Sequence, residues 1–479
     1  MLGKLKLSML MIALTLAGTA NGQSEKLIYD QLLRPANAEF YHVPIGLCED
    51  YPEETTTLEI IRKDMELLKR SGINLLRISF GWDGIETAKD EYNWLFWDDY
   101  VKMAVDEYHI TLIPYICYTP LWNSTGDSTN YWDHTPKDYE EFGQFVEDIV
   151  SRYKDRIHSW ELWNEPDIKE YWSGTVEEYA KLLKIGAQAV RRADPDAMVV
   201  LGGLAHKTDF TLSLFRDLGV SDYVDVVNIH NYNETWSGRA LEQIVPYVNS
   251  ISDIIKQPGI GQSLWMAEVG YSTFRREAHV SNDYKAYYDY EHTPKFQAVQ
   301  LFRTLALLLS TNKLAAIAWY EIKDLPPMEK VIGDVNNRNL GVAFVDYKPK
   351  PAETALSFFN KFFSTKYKSI DDKITVNRGQ ESDSEVHAFE FENGDAVVVG
   401  WLKTNPPNGR GDDKSGMVKD TRKETVSVEL PMKLSNKATL YNELGSASDS
   451  KNVKANGDKT VIENLKLIGG EIVIIKIAK

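Results

Sequence analysis

Between about residues 41 and 363, short apolar, β-branched runs alternate with amphipathic stretches, and nothing else in the 479-residue chain restricts its fold as tightly. The runs that read as strands are Tyr41–Leu47, Ile73–Phe80, Ile110–Ile116, Ile157–Trp163, Met198–Gly202, Val224–Ile229, Leu264–Glu268 and Ala315–Glu321. Helical spacing fills the gaps at Thr57–Ser71, Phe96–Glu107, Pro136–Tyr153, Val176–Arg192 and Thr293–Ser310. Strands that alternate with helices demand a parallel sheet, and eight such units over roughly 320 residues fit a (β/α)8 TIM barrel. A doubly wound open sheet is the rival, but it would want a Gly-rich phosphate turn after an early strand, and none is present.

The texture changes near Lys366. Helical periodicity stops, and short alternating runs follow at Val386–Glu392, Ala396–Leu402, Thr425–Glu429, Lys437–Tyr441, Lys459–Glu463 and Glu471–Ile477, punctuated by Gly, Asn and Asp. That pattern predicts a small all-β sandwich over 366–479. At the other end, Lys4 and Lys6 precede the apolar run Leu7–Ala17, and Ala20-Asn21-Gly22 supplies small residues. Residues 1–22 therefore read as a secretory signal peptide, with a secreted or periplasmic product. Residues 23–40 form an N-terminal segment in which Lys26–Leu33 is expected to add an edge strand. The catalytic barrel is assigned to 41–365.

Composition excludes several functions. The formal charge of −16 argues against nucleic acid, whose phosphates need a basic face. The leader's apolar run is short for a bilayer span and no other stretch is long enough, so no membrane insertion is expected. The two cysteines, Cys48 and Cys117, are too few for a disulfide framework or a four-ligand metal site, and two buried thiols are the simpler reading over one disulfide.

Active sites of this fold lie at the C-terminal ends of the strands. The fourth strand ends Trp160-Glu161-Leu162-Trp163-Asn164-Glu165-Pro166, where Glu161, Trp163 and Glu165 share one side-chain parity until Pro166 breaks the strand. The seventh ends Trp265-Met266-Ala267-Glu268-Val269-Gly270. Glu165 and Glu268 would thus face one another across the barrel mouth. Glycoside hydrolysis needs such a pair: one group protonates the departing oxygen while the other attacks the anomeric carbon or activates water.

Trp163-Asn164-Glu165-Pro166 on strand four, with Glu268 on strand seven, resembles clan A of the glycoside hydrolases over roughly residues 41–363. The resemblance implies a retaining double displacement with Glu165 as acid/base and Glu268 as nucleophile. It implies further that Asn164 contacts the sugar 2-hydroxyl and that Arg77 corresponds to the clan's strand-two arginine. His230-Asn231-Tyr232 resembles the clan's His-x-Tyr element, in which Tyr232 would hydrogen-bond the nucleophile with His230 near the site. Trp319 resembles the tryptophan that floors the sugar subsite. Three runs are closest to family 39, which includes β-xylosidases: Trp163–Asp167, Tyr118–Trp122 with Trp122 as a candidate sugar contact, and Leu340–Asp346. Val269-Gly270-Tyr271-Ser272 departs from the pattern, since many relatives carry Phe or Trp soon after the nucleophile.

The expected partner is a carbohydrate, with no organic cofactor and no metal. Trp82, Tyr118, Trp122, Trp132, Trp172, Trp236 and Tyr271 follow strand ends and together suggest a cleft for a sugar chain. Residues 272–292, rich in tyrosine, would wall one side, with Arg275 and Arg276 as solvated loop charges. Two alternatives stay open at this stage, a family 5-like endo-glycanase and a non-catalytic glycan-binding protein on the same barrel. A metal-dependent hydrolase would need clustered His and Asp ligands at strand ends, which the sequence does not offer.

Overall fold

Eight parallel strands close into a barrel: β1 (Ile45–Glu49), β2 (Leu75–Gly81), β3 (Thr111–Cys117), β4 (Ser159–Asn164), β5 (Met198–Leu204), β6 (Val226–Asn231), β7 (Ser263–Val269) and β8 (Leu314–Tyr320). β8 closes on β1 with Leu47 opposite Trp319. The structure, a computed structural model, describes residues 27–35, 38–50, 56–256, 261–275, 279–281, 284–327, 335–406, 416–450 and 452–479. The leader at 1–22 and Arg276 lie outside the described residues. Among the described residues no helix is long and apolar enough to cross a membrane.

A helix follows each strand: α1 (Leu58–Ser71), α2 (Trp94–Val101), α3 (Tyr139–Tyr153), α4 (Val176–Ala193), α5 (Thr208–Leu212), α6 (Ile244–Ile255), α7 (Pro294–Ser310) and α8 (Pro351–Phe362). Their starts are written locally. Thr175 caps α4 in a reciprocal box with Glu178, satisfying two of the orphan donors of the first turn. Thr293 caps α7 and Pro294 follows at the first helical position, where the missing N–H costs nothing.

Side-chain alternation sorts each strand between two layers. Cys48, Leu75, Ile113, Val200, Val226, Trp265, Ala267, Ala318 and Tyr320 fill the barrel interior. Leu47, Leu76, Leu112, Leu162, Val199, Ile229, Met266 and Trp319 face the helices. Cys48 and Cys117 are both buried and unpaired.

Residues 27–33 do not form an edge strand. Tyr29–Gln31 make one 3-10 turn, and Ile28 and Leu32 pack with Leu75, Ile113 and Trp265 at the base of the barrel. The Trp265 indole N–H donates to Leu32 O (2.8 Å) and Ile28 N–H to the Thr111 hydroxyl (2.9 Å). Two apolar residues four apart suit one face of a turn, and burying both against the barrel base is favourable. β1 also starts later than the sequence pattern places it, after Pro44, and Tyr41 instead bridges to Tyr367.

The C-terminal region holds β9 (Tyr367–Ser369), β10 (Thr375–Asn377), β11 (Ser384–Phe391), β12 (Ala396–Leu402), β13 (Lys423–Leu430), β14 (Ala438–Tyr441), β15 (Ala447–Ser450), β16 (Val453–Asn456), β17 (Lys459–Ile468) and β18 (Ile472–Ile477). They form a six-stranded sheet ordered β9-β11-β12-β18-β14-β15 and a four-stranded sheet ordered β10-β13-β17-β16, a β-sandwich beside the TIM barrel. Val386, Ala388, Val398, Val426, Val428 and Ile475 fill the space between the sheets. The outer face of the larger sheet, with Phe389, Phe391, Val399 and Trp401, joins the barrel core at Phe359 and Phe363. Arg303 of α7 crosses the seam, donating to Thr404 Oγ1 (3.0 Å) and Leu402 O (3.3 Å).

Candidate active site

The barrel mouth is organised around Arg77, which is fully buried. It sits on β2 with inward parity, over the Tyr115 ring at 4.1 Å. Its Nε and Nη2 donate to the two oxygens of Glu161, both at 2.8 Å. Nη2 also donates to Asn164 Oδ1 (2.8 Å), and Nη1 donates to Glu268 Oε2 (2.9 Å). A planar guanidinium has the fixed fork that such multiple recognition needs. One cation thereby orients three groups from β4 and β7.

Glu268, on β7, is held from two sides. Beyond Arg77, the Tyr232 hydroxyl donates to Oε1 at 2.7 Å. Burial raises its pKa, and the Arg77 charge and the Tyr232 hydrogen bond offset only part of that rise. Glu165 has no comparable clamp. Its Oε1 meets His230 Nδ1 at 2.9 Å. Burial first, then the negative charges of Glu268 and Asp167, push the Glu165 carboxyl well above the usual range. One buried pair with one clamped member holds its shared proton on the other member, Glu165. His230 is itself fully buried, and burial together with Arg77 holds its pKa well below the ordinary value, so the ring stays neutral.

The end of β4 departs from simple alternation. Trp163 has φ +86° and Glu165 φ +43°, a left-handed region that costs a non-glycine residue on the order of 1–3 kcal/mol. The twist has a clear product. Glu161 faces in, Trp163 turns out to pack on Trp172 at 5.0 Å, and the adjacent Asn164 and Glu165 both reach the mouth. The backbone of Gly203 holds the distortion: Glu165 N–H donates to its carbonyl (2.8 Å), and its own N–H donates to Glu161 Oε1 (2.7 Å). Asp167 ties the same turn down by accepting from the backbone N–H of Ala205, His206 and Lys207.

Glu165, Asn164, Arg77, His230, Tyr232 and Glu268 are thus brought together. Trp319 is not. It is fully buried among the residues facing the helices, because β8 points Ala316, Ala318 and Tyr320 inward. Tyr320, not Trp319, meets Tyr232 at the mouth, with ring centroids 6.4 Å apart. Trp122 is partly exposed, but its interactions run to Glu86 O (2.9 Å) and to the edge of Trp82 rather than to the carboxylates. Trp82 and Trp172 are core residues. Tyr271 is buried and stacks on His292. Trp236 stands edge-on to Tyr232 at 4.5 Å. Tyr118, Trp132 and Tyr171 cluster beside the acid-bearing turn. Arg275 braces its loop by donating to the carbonyls of Asp289 and Glu291.

Four site residues carried no assigned role in the sequence reading. Glu161 anchors Arg77, and Asn228 bonds Glu161 and His230. Asp50, just past β1, hydrogen-bonds Ser79 and Tyr115 and has its pKa raised by burial. Tyr320 is the fourth. Strand parity would have found Asn228, two residues from His230, and Tyr320.

One oxygen each of Glu165 and Glu268 and one nitrogen of His230 lie within 4.8 Å of one another, the group of metal-ligand type among the described residues. Arg77 already supplies the cation that Glu268 faces. Two carboxyl groups facing one another at the barrel mouth are the pair that glycoside hydrolysis requires.

The model of glycosyl hydrolases family 39 matches residues 31–258. A β-xylosidase of Caldicellulosiruptor saccharolyticus is 38% identical over 107 residues, 20% of this chain and 22% of that protein. The matched stretch therefore spans about a fifth of that relative's length. Among solved structures, a family 39 glycoside hydrolase from the gut symbiont Bacteroides cellulosilyticus WH2 superposes with TM-score 0.63 at 17% identity, covering 91% of this chain and 81% of that one. A monomeric β-xylosidase from Caulobacter crescentus CB15 gives TM-score 0.58 at 16% identity, covering 91% and 96%. At such identities the structural likeness speaks for the fold.

Proposed function

The chain is most like family 39 of the clan A glycoside hydrolases, and from that premise we propose that it is a retaining β-glycosidase, β-xylosidase-like, with Glu268 as nucleophile and Glu165 as acid/base. The observation that carries this reading is the unequal holding of two nearby carboxyl groups. Arg77 and Tyr232 both donate to Glu268 and favour its ionised form, whereas burial and the neighbouring negative charges favour the protonated form of Glu165.

The chemistry follows from those states. Glu268 attacks the anomeric carbon as Glu165 gives its proton to the departing oxygen. Glu165, now a carboxylate, then takes a proton from water, which displaces Glu268 and restores both groups. Asn164, fixed by Arg77, offers its amide N–H groups to the sugar hydroxyl beside the reacting carbon. Tyr320, Trp236 and the Tyr118–Trp132–Tyr171 cluster supply rings for sugar faces. Export of the protein rests on the leader-type pattern of residues 1–22, and the mass of the N-terminus of secreted material tests it.

A panel of aryl β-xylosides, β-mannosides and β-glucosides, followed by proton NMR of the first sugar released, tests the function. The expected result is turnover with the β-anomer appearing first. The α-anomer first would mean inversion. Binding of xylo-oligosaccharides without turnover of any aryl glycoside would favour a glycan-binding protein.

A further inference from the structure

We propose that Asn228 is a positioning residue that decides which oxygen of Glu165 carries the catalytic proton, by holding His230 as the tautomer protonated on Nδ1. The proposal rests on Glu165 being the acid/base.

Asn228 lies two residues before His230 on β6, so both point into the barrel. The backbone N–H of Ala267, on the neighbouring β7, donates to Asn228 Oδ1 at 2.9 Å. That bond fixes which way the amide faces, because a reversed amide would set N–H against N–H. The Nδ2 group is thereby aimed at two acceptors, Glu161 Oε1 at 3.1 Å and His230 Nε2 at 3.4 Å. An amide NH2 only donates, so Nε2 must accept. In a neutral imidazole the proton then sits on Nδ1.

Nδ1–H points at Glu165 Oε1, 2.9 Å away. A donor already occupies that oxygen, so the carboxylic acid proton of Glu165 is left on Oε2. In the other tautomer, Oε1–H would donate into bare Nδ1 and the proton would be turned away from the substrate. With the proton on Oε2, the balance is direct. The bond from the anomeric carbon to the leaving oxygen breaks, that oxygen takes the electron pair and the Oε2 proton, and a Glu268 oxygen bonds to the anomeric carbon.

The packing around the ring supports a set orientation. A Cβ at Gly203 would lie 1.9 Å from His230 Nε2, so only glycine there lets the ring edge approach the amide. The charged groups around the ring are Arg77, Glu161, Glu165 and Glu268. None is a second donor to Nε2. Asn228 is the residue that breaks the symmetry between the two ring nitrogens.

Two measurements test this. The first is a long-range nitrogen–proton correlation spectrum of protein labelled with 15N-histidine, with His230 assigned by its loss in His230→Gln. A neutral ring protonated on Nδ1 is expected, and a ring protonated on Nε2 overturns the proposal without any need for a variant at Asn228 to fold. The second is kcat/KM across aryl β-xylosides of graded leaving group for Asn228→Asp, which keeps the shape but offers Nε2 an acceptor, and for Asn228→Ala. The expected loss is on the order of 10²-fold for poor leaving groups, the lower end of what general acid catalysis contributes, and only a few-fold for dinitrophenyl, which needs no proton. An equal loss across the series, or none, overturns the proposal. Glu165→Ala in the same series separates the two levels: if it lacks leaving-group dependence, the acid/base assignment itself fails, whatever the tautomer of His230.

Discussion

Among the described residues, His230 and His387 are each buried beside carboxyl groups, and they end in opposite states. His230, in the barrel mouth, is held neutral by burial and by the nearby Arg77. His387, on β11 of the sandwich, contacts Asp371 Oδ2 at 2.6 Å and Glu385 Oε1 at 3.3 Å. Those two partners outweigh burial and raise its pKa from 6.5 to about 9. The difference lies in who else claims the carboxylates. Arg77 already serves the negative charge at the mouth, so a second cation gains little there. In the sandwich Lys403 reaches only Glu385, at 3.0 Å, and the imidazolium completes the neutralisation. A buried histidine is a neutral hydrogen-bond partner in one place and an ion-pair cap in the other, and the sequence around each does not say which.

The largest test of this contrast is Arg77→Met. It leaves Glu161 and Glu268 buried without their cation, a loss of about 3–5 kcal/mol, and it raises the Glu268 pKa. Thermal unfolding should show a large fall in Tm, and in whatever folds, the acid limb of kcat/KM should move to higher pH. An unchanged acid limb would mean that Arg77 does not set the state of Glu268.

Next in size is the pair His387→Gln and His230→Gln. A rise from 6.5 to about 9 is worth at most about 3 kcal/mol at 1.36 kcal/mol per unit. Because the folded pKa is the higher one, that stability is fully present below pH 6.5 and is lost as pH climbs through about 9. Glu385, lowered to about 2, contributes stability above its unfolded value of about 4.3 that is lost as pH falls through about 2. Calorimetry should show Tm of the parent declining between pH 6.5 and 9, and a flatter profile in His387→Gln with kcat/KM unchanged. His230→Gln should do the reverse, with kcat/KM falling on the order of 10²-fold and the Tm–pH profile kept. Loss of activity in both variants would break the distinction.

The smallest expected effect on activity concerns the aromatic floor. Tyr320→Phe, which keeps the ring at the mouth, should alter kcat/KM only a few-fold, while Trp319→Ala should leave the site intact and cost about 3–5 kcal/mol of stability as a core truncation. Aryl-xyloside kinetics beside a melting curve checks both.

That last pair also marks what could be read from the chain. The eight strands were legible because burial on both faces writes continuous apolar runs, and Glu165 and Glu268 because strand ends put side chains at the mouth. Trp319 was misplaced although alternation on β8, with Ala316, Ala318 and Tyr320 inside, points it away from the sugar. The positive φ at Trp163 and Glu165 was not legible. It depends on the Gly203 backbone from the next strand, and it is what lets neighbouring Asn164 and Glu165 face the same side. The plug at Ile28 and Leu32 was equally hidden, since its reward is apolar surface at a barrel base that exists only once the barrel has closed.

The central claim is that the two carboxyl groups are unlike, with Glu268 ionised and attacking. A 2-deoxy-2-fluoro-xyloside with an activated leaving group tests it most directly, because the fluorine slows release of the covalent intermediate. Mass spectrometry of the intact protein, then of its peptides, should find one fluoroxylosyl group per chain, attached to Glu268 and absent in Glu268→Gln. A label on Glu165, or steady inactivation with no covalent adduct, would contradict the account.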